Sequence, residues 1–156
     1  MAQHFAKLSK DPNDSTNEVL GVHVVADKDC EKNGVLDEEK GRVFLEKLHN
    51  WPFWKQTDPA TYGNTHTGGG TPLRKNYAPK GGTYNASIDG FTTTNPFPGQ
   101  WVLNSNTGLY QAPTSSGDPL YPFLDYPSTR LVLEDQDDVY VWTEEANAWV
   151  LQGTPR

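Results

Sequence analysis

Two apolar stretches at the start of the chain predict a pair of antiparallel strands. They are His4–Leu8 and Val19–Val25, and the turn-forming residues Lys10–Asn17 lie between them. Short apolar runs bounded by Pro, Asn, Asp and Ser are typical of strands that end in loops. We therefore expect two strands joined by a long loop.

The next part of the chain has the spacing of a helix. Asp37 is a good N-cap, and Glu38 and Glu39 fall in the first turn, where the helix dipole favours negative charge. Apolar residues then recur at helical spacing, at Val43, Phe44, Leu45 and Leu48. This pattern predicts one amphipathic helix from about Asp37 to His49.

The middle of the chain is richer in turn formers than in apolar residues. We expect Trp51–Thr57 to return to extended structure, and Asp58–Pro72 to form a Gly/Thr/Asn-rich loop. This loop contains Gly68–Gly70 without the strand-to-helix context that a phosphate-binding loop requires. Leu73–Ala78 is interpreted as a short strand or an extended segment.

Three hairpins are predicted in the remaining half, because a bulky pair flanks a polar turn three times. The two members of each pair are seven positions apart, so they can face each other across two strands. The pairs are Tyr84 and Phe91, Leu103 and Tyr110, and Trp142 and Trp149. The hairpins should span about 82–93, 100–112 and 138–151, and the likeness of the last two slightly favours duplication over chance.

Proline-rich connectors, 95–99 and 113–127, separate these hairpins. Proline favours extended backbone, so such segments can lie across a partner or cover the protein's own sheet. The predicted fold class is α+β and mostly β: antiparallel hairpins with one amphipathic helix, then C-terminal hairpins joined by Pro-rich extended segments. We expect a small α+β domain at 1–98 and a C-terminal β-hairpin extension at 99–156.

Composition supports a folded, loop-rich β protein. The 156 residues include 14 Gly and 12 Pro, but also five Trp, seven Tyr and six Phe, which a disordered chain usually lacks. The net charge of −7 argues against nucleic-acid binding through a basic surface. No apolar run approaches the roughly 20 residues of a membrane span, and the N-terminus does not read as a signal peptide.

The sequence offers little chemistry, so we expect no enzymatic activity, no cofactor and no metal. The four His residues lack metal-ligand spacing, and the acidic neighbours of Cys30 oppose a nucleophilic thiol. The acidic run Glu134–Asp138 does not match a calcium loop. An alternative is a sugar-stacking platform built from the tryptophans.

Several motifs in order resemble one family of small proteins from marine tailed phages, especially those of cyanobacteria. The most specific combination is Trp54–Thr57 (W-K-Q-T) followed by Arg74–Ala78 (R-K-N-Y-A). Phe5–Leu8 (F-A-K-L) precedes this combination, and the terminal Trp-containing hairpin follows it. The chain departs from the family in the longer Lys10–Asn17 loop, in Asn85 where Asp is usual, and in an insertion at 120–133.

The resemblance implies phage origin and a virion role, with synthesis in the cytoplasm of the bacterial host. We expect a structural accessory protein, as capsid decoration or cement or attached at the head or tail surface. Its partners would be major capsid or tail proteins, with self-association as a further option. The alternative is a host-glycan-binding module on the particle. The predicted partner-binding residues are Tyr121, Phe123, Tyr126, Trp101, Trp142 and Trp149.

Overall fold

The computed structural model describes residues 2–14, 16–112, 130–133 and 138–153. The chain divides into two compact units: Met1–Thr94 with Ser105–Gly108, and Asn95–Asn104 with Leu109–Arg156. The predicted class, α+β and mostly β with antiparallel hairpins, is confirmed. The predicted division into folding domains at residues 98 and 99 stays a prediction.

The first unit is a five-stranded sheet with a helix and two small two-stranded ladders. In chain order its elements are β1 (Ala2–Leu8), β2 (Thr16–Ala26), a 3-10 turn (Asp27–Asp29), β3 (Glu31–Lys32), β4 (Val35–Leu36), α1 (Glu38–His49), β5 (Trp54–Thr57), β6 (Thr61–Tyr62), β7 (Thr65–His66), β8 (Thr83–Asn85) and β9 (Gly90–Thr92). The main sheet has the order β5-β1-β2-β8-β9.

Strands β1 and β2 form the predicted antiparallel pair. Their register places Phe5 opposite His23 and Ala6 opposite Val22, with an irregularity where Leu8 faces Val19. Alternate side chains of β1 enter two different cores, because Phe5 packs in one cluster while Ala6 and Leu8 pack in another. Both faces of β1 therefore carry buried side chains, which explains why Phe5 and Ala6 are adjacent apolar residues.

Helix α1 has the predicted bounds and the predicted cap. The Asp37 carboxylate accepts hydrogen bonds from the backbone N–H of Glu39 and Lys40, which otherwise lack partners at a helix start. Its buried face carries Gly41 and Leu45 and covers Phe5. A Cβ on Gly41 would lie 2.4 Å from Phe5 Cζ, so only glycine permits this close approach.

The expected short strand or extended segment at Leu73–Ala78 is wrong. Arg74 and Lys75 both adopt left-handed backbone, at φ of 50° and 70°, and the Asn76 N–H donates to the Arg74 carbonyl at 2.7 Å. The chain therefore turns sharply here. The reason is tertiary, because the Phe91 N–H donates to the Arg74 carbonyl at 3.0 Å and the Asn64 N–H donates to the Lys75 carbonyl at 2.7 Å.

The second unit consists of hairpins. Its strands are β10 (Val102–Asn104), β11 (Leu109–Gln111), β12 (Arg130–Leu133), β13 (Asp138–Thr143) and β14 (Ala148–Gly153). Strands β10 and β11 pair with each other, and β13 lies between β12 and β14.

All three predicted hairpins are confirmed. The bulky residues seven apart are direct cross-strand partners in each: Tyr84 with Phe91, Leu103 with Tyr110, and Trp142 with Trp149.

Candidate functional site

The two motifs that carry the resemblance meet in the first unit. One NH2 group of Arg74, at Nη1, donates to the Gln56 carbonyl at 3.0 Å, and the Ala78 N–H donates to Thr57 Oγ1 at 2.9 Å. Trp54 of the first motif is 1% exposed in the core. The motifs thus join strand β5 to the turn at Arg74 and Lys75.

Arg74 is the centre of this region. It makes a bidentate pair with Glu38, with Nη1 to Oε2 at 2.8 Å and Nη2 to Oε1 at 3.0 Å, and its Nε donates to Asp89 Oδ1 at 3.0 Å. The guanidinium side chain is only 10% exposed. Burial acts to lower the Arg74 pKa, but the contacts with Glu38 and Asp89 outweigh it and raise the pKa above its usual value.

Tyr84 completes the arrangement. Its hydroxyl donates to Asp89 Oδ1 at 2.6 Å, and Lys55 Nζ lies 5.8 Å from the centroid of its ring. Burial, and then the hydrogen bond to Asp89, raise the Tyr84 pKa. Burial would raise the Asp89 pKa, but the Tyr84 hydroxyl and the Arg74 guanidinium lower it overall. We call Arg74, Glu38, Asp89 and Tyr84 the arginine network.

The backbone at Arg74 and Lys75 is strained, and it places the Arg74 guanidinium in this network. Left-handed φ at two successive non-glycine residues is costly and persists only where surrounding contacts fix it. Gly90 supplies room for one such contact, because a Cβ there would lie 2.4 Å from Lys75 Cγ. The strained turn therefore serves to direct Arg74 toward Glu38.

Asn76, the third residue of the second motif, is buried, and its side chain hydrogen-bonds to three other segments of the chain. Its Nδ2 donates to the carbonyls of Phe91 and Thr107 at 3.0 and 2.9 Å, and its Oδ1 accepts from the Gly63 N–H at 2.7 Å. Three hydrogen bonds satisfy most of what a buried amide requires. The contacts around both motifs thus connect helix α1, strand β5 and the hairpin of β8 and β9.

The histidines occupy three separate places. His23, on β2, packs against His49 and Trp54, with ring centroids 4.7 and 5.1 Å away. Burial, then the charges of His49 and Lys7, lower the His23 pKa. His4 contacts Tyr77, and His66 contacts Asp58. Within the described residues, no group of three or more His, Cys, Asp or Glu side chains is placed to hold a metal ion.

Cys30 lies in the core of the first unit, where it is 1% exposed. Burial raises the pKa of its thiol, and the charges of Asp27, Asp29 and Glu31 raise it further. The sequence predicted this direction from the acidic neighbours but missed the burial, which is the larger cause.

Three of the predicted partner-binding residues come together in the second unit. Trp101, Trp142 and Trp149 are 3%, 5% and 8% exposed and form one core cluster. Trp142 packs edge-on against both others, at centroid distances of 5.6 and 5.8 Å. Most of their indole surface is thus occupied within the unit.

The other three predicted residues, Tyr121, Phe123 and Tyr126, lie outside the described residues. That the six form a partner surface stays a prediction.

Sequence reasoning missed the arginine network altogether. Arg74 itself belongs to the more specific combination of motifs, Trp54–Thr57 followed by Arg74–Ala78. The partner carboxylates, however, come from distant parts of the chain, at Glu38 and Asp89.

Comparison of the chain with protein-family models, curated proteins and solved structures found no match.

Among the described residues, no helix has the length and apolar character needed to cross a membrane.

Proposed function

We propose that this protein is a structural accessory component of a tailed-phage virion, with capsid decoration favoured over attachment at the tail. One observation supports the proposal: the motifs that carry the resemblance to the phage family are used for internal contacts. Trp54 is a core residue, and the side chains of Arg74 and Asn76 donate hydrogen bonds inside the first unit. Residues used in this way suit a rigid framework that other proteins contact.

Exposed aliphatic side chains add support. Val24, Val35 and Leu48 of the first unit are 61%, 67% and 64% exposed. Exposed apolar side chains are the groups that a contact with a capsid lattice would cover.

A glycan-binding module is the competing function. Sugar stacking needs open indole faces, and the burial of Trp101, Trp142 and Trp149 gives this alternative less support than the first. Saturable binding to host polysaccharide would favour the glycan-binding function, because a decoration protein should show none.

The test is association with particles. Purified, washed phage particles should contain this chain in many copies, measured by gel densitometry against the major capsid protein. Recombinant protein should also rebind to particles that lack it. The variant Val35→Asp should rebind less, while Val102→Asp, which changes a 54% exposed valine of the other unit, serves as the matched control. A chain that is monomeric and absent from washed particles would contradict the proposal.

A further inference from the structure

A cleft of about 710 Å³ lies between the start of β1, the end of β5 and the segment 71–73. Its volume falls within the roughly 300–1,000 Å³ of pockets that hold ligands. The apolar part of its wall includes Ala2, Pro59, Pro72 and Leu73, and the polar part includes His4 and Asp58. A ligand here would meet apolar surface along its length and a carboxylate at one place.

The Asp58 carboxylate is held in one orientation. Its Oδ1 accepts from the Ala60 N–H at 3.0 Å, and its Oδ2 accepts from Thr61 Oγ1 at 3.1 Å. His66 Nε2 lies 3.3 Å from the same Oδ2. Each carboxylate oxygen has two acceptor directions, so Oδ1 keeps one direction for a further donor.

The glycine run 68–70 holds the histidine that lies beside Asp58. The N–H groups of Gly68 and Gly70 both donate to His66 Nδ1, at 3.0 and 3.1 Å. These two bonds occupy Nδ1 and leave Nε2 as the ring nitrogen that faces Asp58. A Cβ on Gly68 would lie 3.1 Å from His66 Cε1, which is why glycine suits this close approach.

Two hydrogen bonds orient the Asp58 carboxylate, and neither of their donors carries a charge. In the part of the chain that the structure describes, none of the ion pairs joins Asp58 to a Lys or an Arg. The cleft therefore has an oriented negative charge beside apolar walls.

We propose that this cleft binds a cationic group on an apolar stem. The methylenes would cover the apolar wall while the ammonium or guanidinium donates to Asp58, which is the way Lys and Arg side chains use their two parts. The net charge of −7 would attract such a group. The cation has two sources, a Lys or Arg side chain of a partner protein or a free alkylamine, and the first rests on the proposed function.

Binding is measured with N-butylguanidinium as the probe and 1-pentanol as the neutral control. In a 1H–15N NMR titration of the full chain, the probe should shift the amides of Gln3, Thr57 and Leu73, and pentanol should bind more weakly. Asp58→Asn should weaken probe binding by about tenfold or more, since a hydrogen bond to a charged group contributes about that much. The matched control is Asp14→Asn, at an exposed carboxylate outside the cleft.

A second variant guards against misfolding of the first. Leu73→Lys places a cation of the chain's own on the cleft wall, so it should abolish probe binding while the remaining NMR spectrum stays folded. Unchanged affinity in either folded variant, or shifts confined to residues away from the cleft, would overturn the proposal.

Rebinding to particles distinguishes a Lys or Arg of a partner protein from a free alkylamine. It also distinguishes failure of the cleft proposal from failure of the proposed virion function. If Asp58→Asn loses both the probe and rebinding, the cation belongs to a virion protein. If it loses the probe but rebinds as wild type does, the partner-protein source is wrong and a free amine is the ligand. If wild type binds the probe but no particle at all, the proposed function fails and the cleft chemistry stands.

Discussion

Each of the two units contains a hairpin in which two aromatic residues are cross-strand partners, but the surroundings of the two hairpins differ. Tyr84 and Phe91 face each other at a centroid distance of 5.3 Å, and Trp142 and Trp149 at 5.8 Å. In the first unit the hairpin joins a five-stranded sheet, and a charged network fixes the Tyr84 hydroxyl. In the second, the indoles pack against other aromatic rings.

This difference predicts different sensitivities. Apolar packing is non-directional, so the second unit should depend on the volume of its aromatic side chains. Hydrogen-bonded charges are directional, so the first unit should also depend on geometry and pH.

The largest effect is expected for Trp149→Ala in the second unit. Removing an indole that is 8% exposed should cost about 3–5 kcal/mol of unfolding free energy. Hydrogen exchange followed by mass spectrometry should show protection lost at 138–153 and retained at 2–94. Val150→Ala, at the neighbouring exposed position, is the control, and an equal loss in both variants would contradict the role of the cluster.

Breaking the arginine network should come next. Arg74→Met should cost the first unit about 2–3 kcal/mol, because it leaves Glu38 and Asp89 without their cation, and their partial exposure keeps the value below that of a fully buried pair. Arg74→Lys should not rescue it, since an ammonium cannot make the bidentate pair. The control is Arg42→Met, which removes more exposed pairs with Glu39 and Glu46 and a hydrogen bond to the Pro52 carbonyl, and which should cost less than Arg74→Met in urea unfolding.

A smaller cost is expected for Gly41→Ala. Alanine favours the helix, but its Cβ would lie 2.4 Å from Phe5 Cζ and 2.9 Å from Cys30 Sγ, so overpacking should give a net loss of about 1–2 kcal/mol. Gly21→Ala, where no atom lies within 4 Å of the added Cβ, is the same change in open space. If urea unfolding shows Gly41→Ala to be stabilising, the helix does not pack on Phe5 closely enough to exclude a methyl group.

The smallest effect, and the most specific one, concerns Tyr84→Phe. Loss of the hydrogen bond to Asp89 should cost about 1 kcal/mol near neutral pH. Because the folded-state pKa of Tyr84 is raised, its contribution is complete below the unfolded pKa of about 10 and is lost as pH rises through the folded value.

Urea unfolding of the wild type and Tyr84→Phe between pH 8 and 12 measures this dependence. The difference in stability should shrink above about pH 10. Tyr110→Phe, in the second unit, is the matched control. A difference that stays constant over this range would mean that the pKa of Tyr84 is the same in the folded and unfolded states.

Local signals explain which parts of the fold were predictable. The N-cap at Asp37, the apolar spacing of α1 and the seven-residue pairs all act over short stretches, and each predicted its element correctly. The turn at Arg74 depends on contacts with Glu38, Asn64 and Phe91, which are far away in the chain. Its local sequence favours extended structure, and tertiary contacts override that preference.

The candidate sites were less predictable than the fold for the same reason. The tryptophans were identified as important, but a sequence cannot distinguish an indole that packs inside a unit from one that faces a partner. That Gly68–Gly70 has no phosphate role stays a prediction, and its contact with His66 depends on how the loop folds back.

The position of Cys30 makes the first unit open to direct kinetic measurement. It is the only cysteine in the sequence, and its thiol is buried beside Gly41 in the core of that unit. An alkylating reagent can therefore react only when this unit opens, and the rate of labelling reports the frequency of opening. Because the second unit contains no cysteine, the labelling rate reports the opening of the first unit alone, without an introduced label.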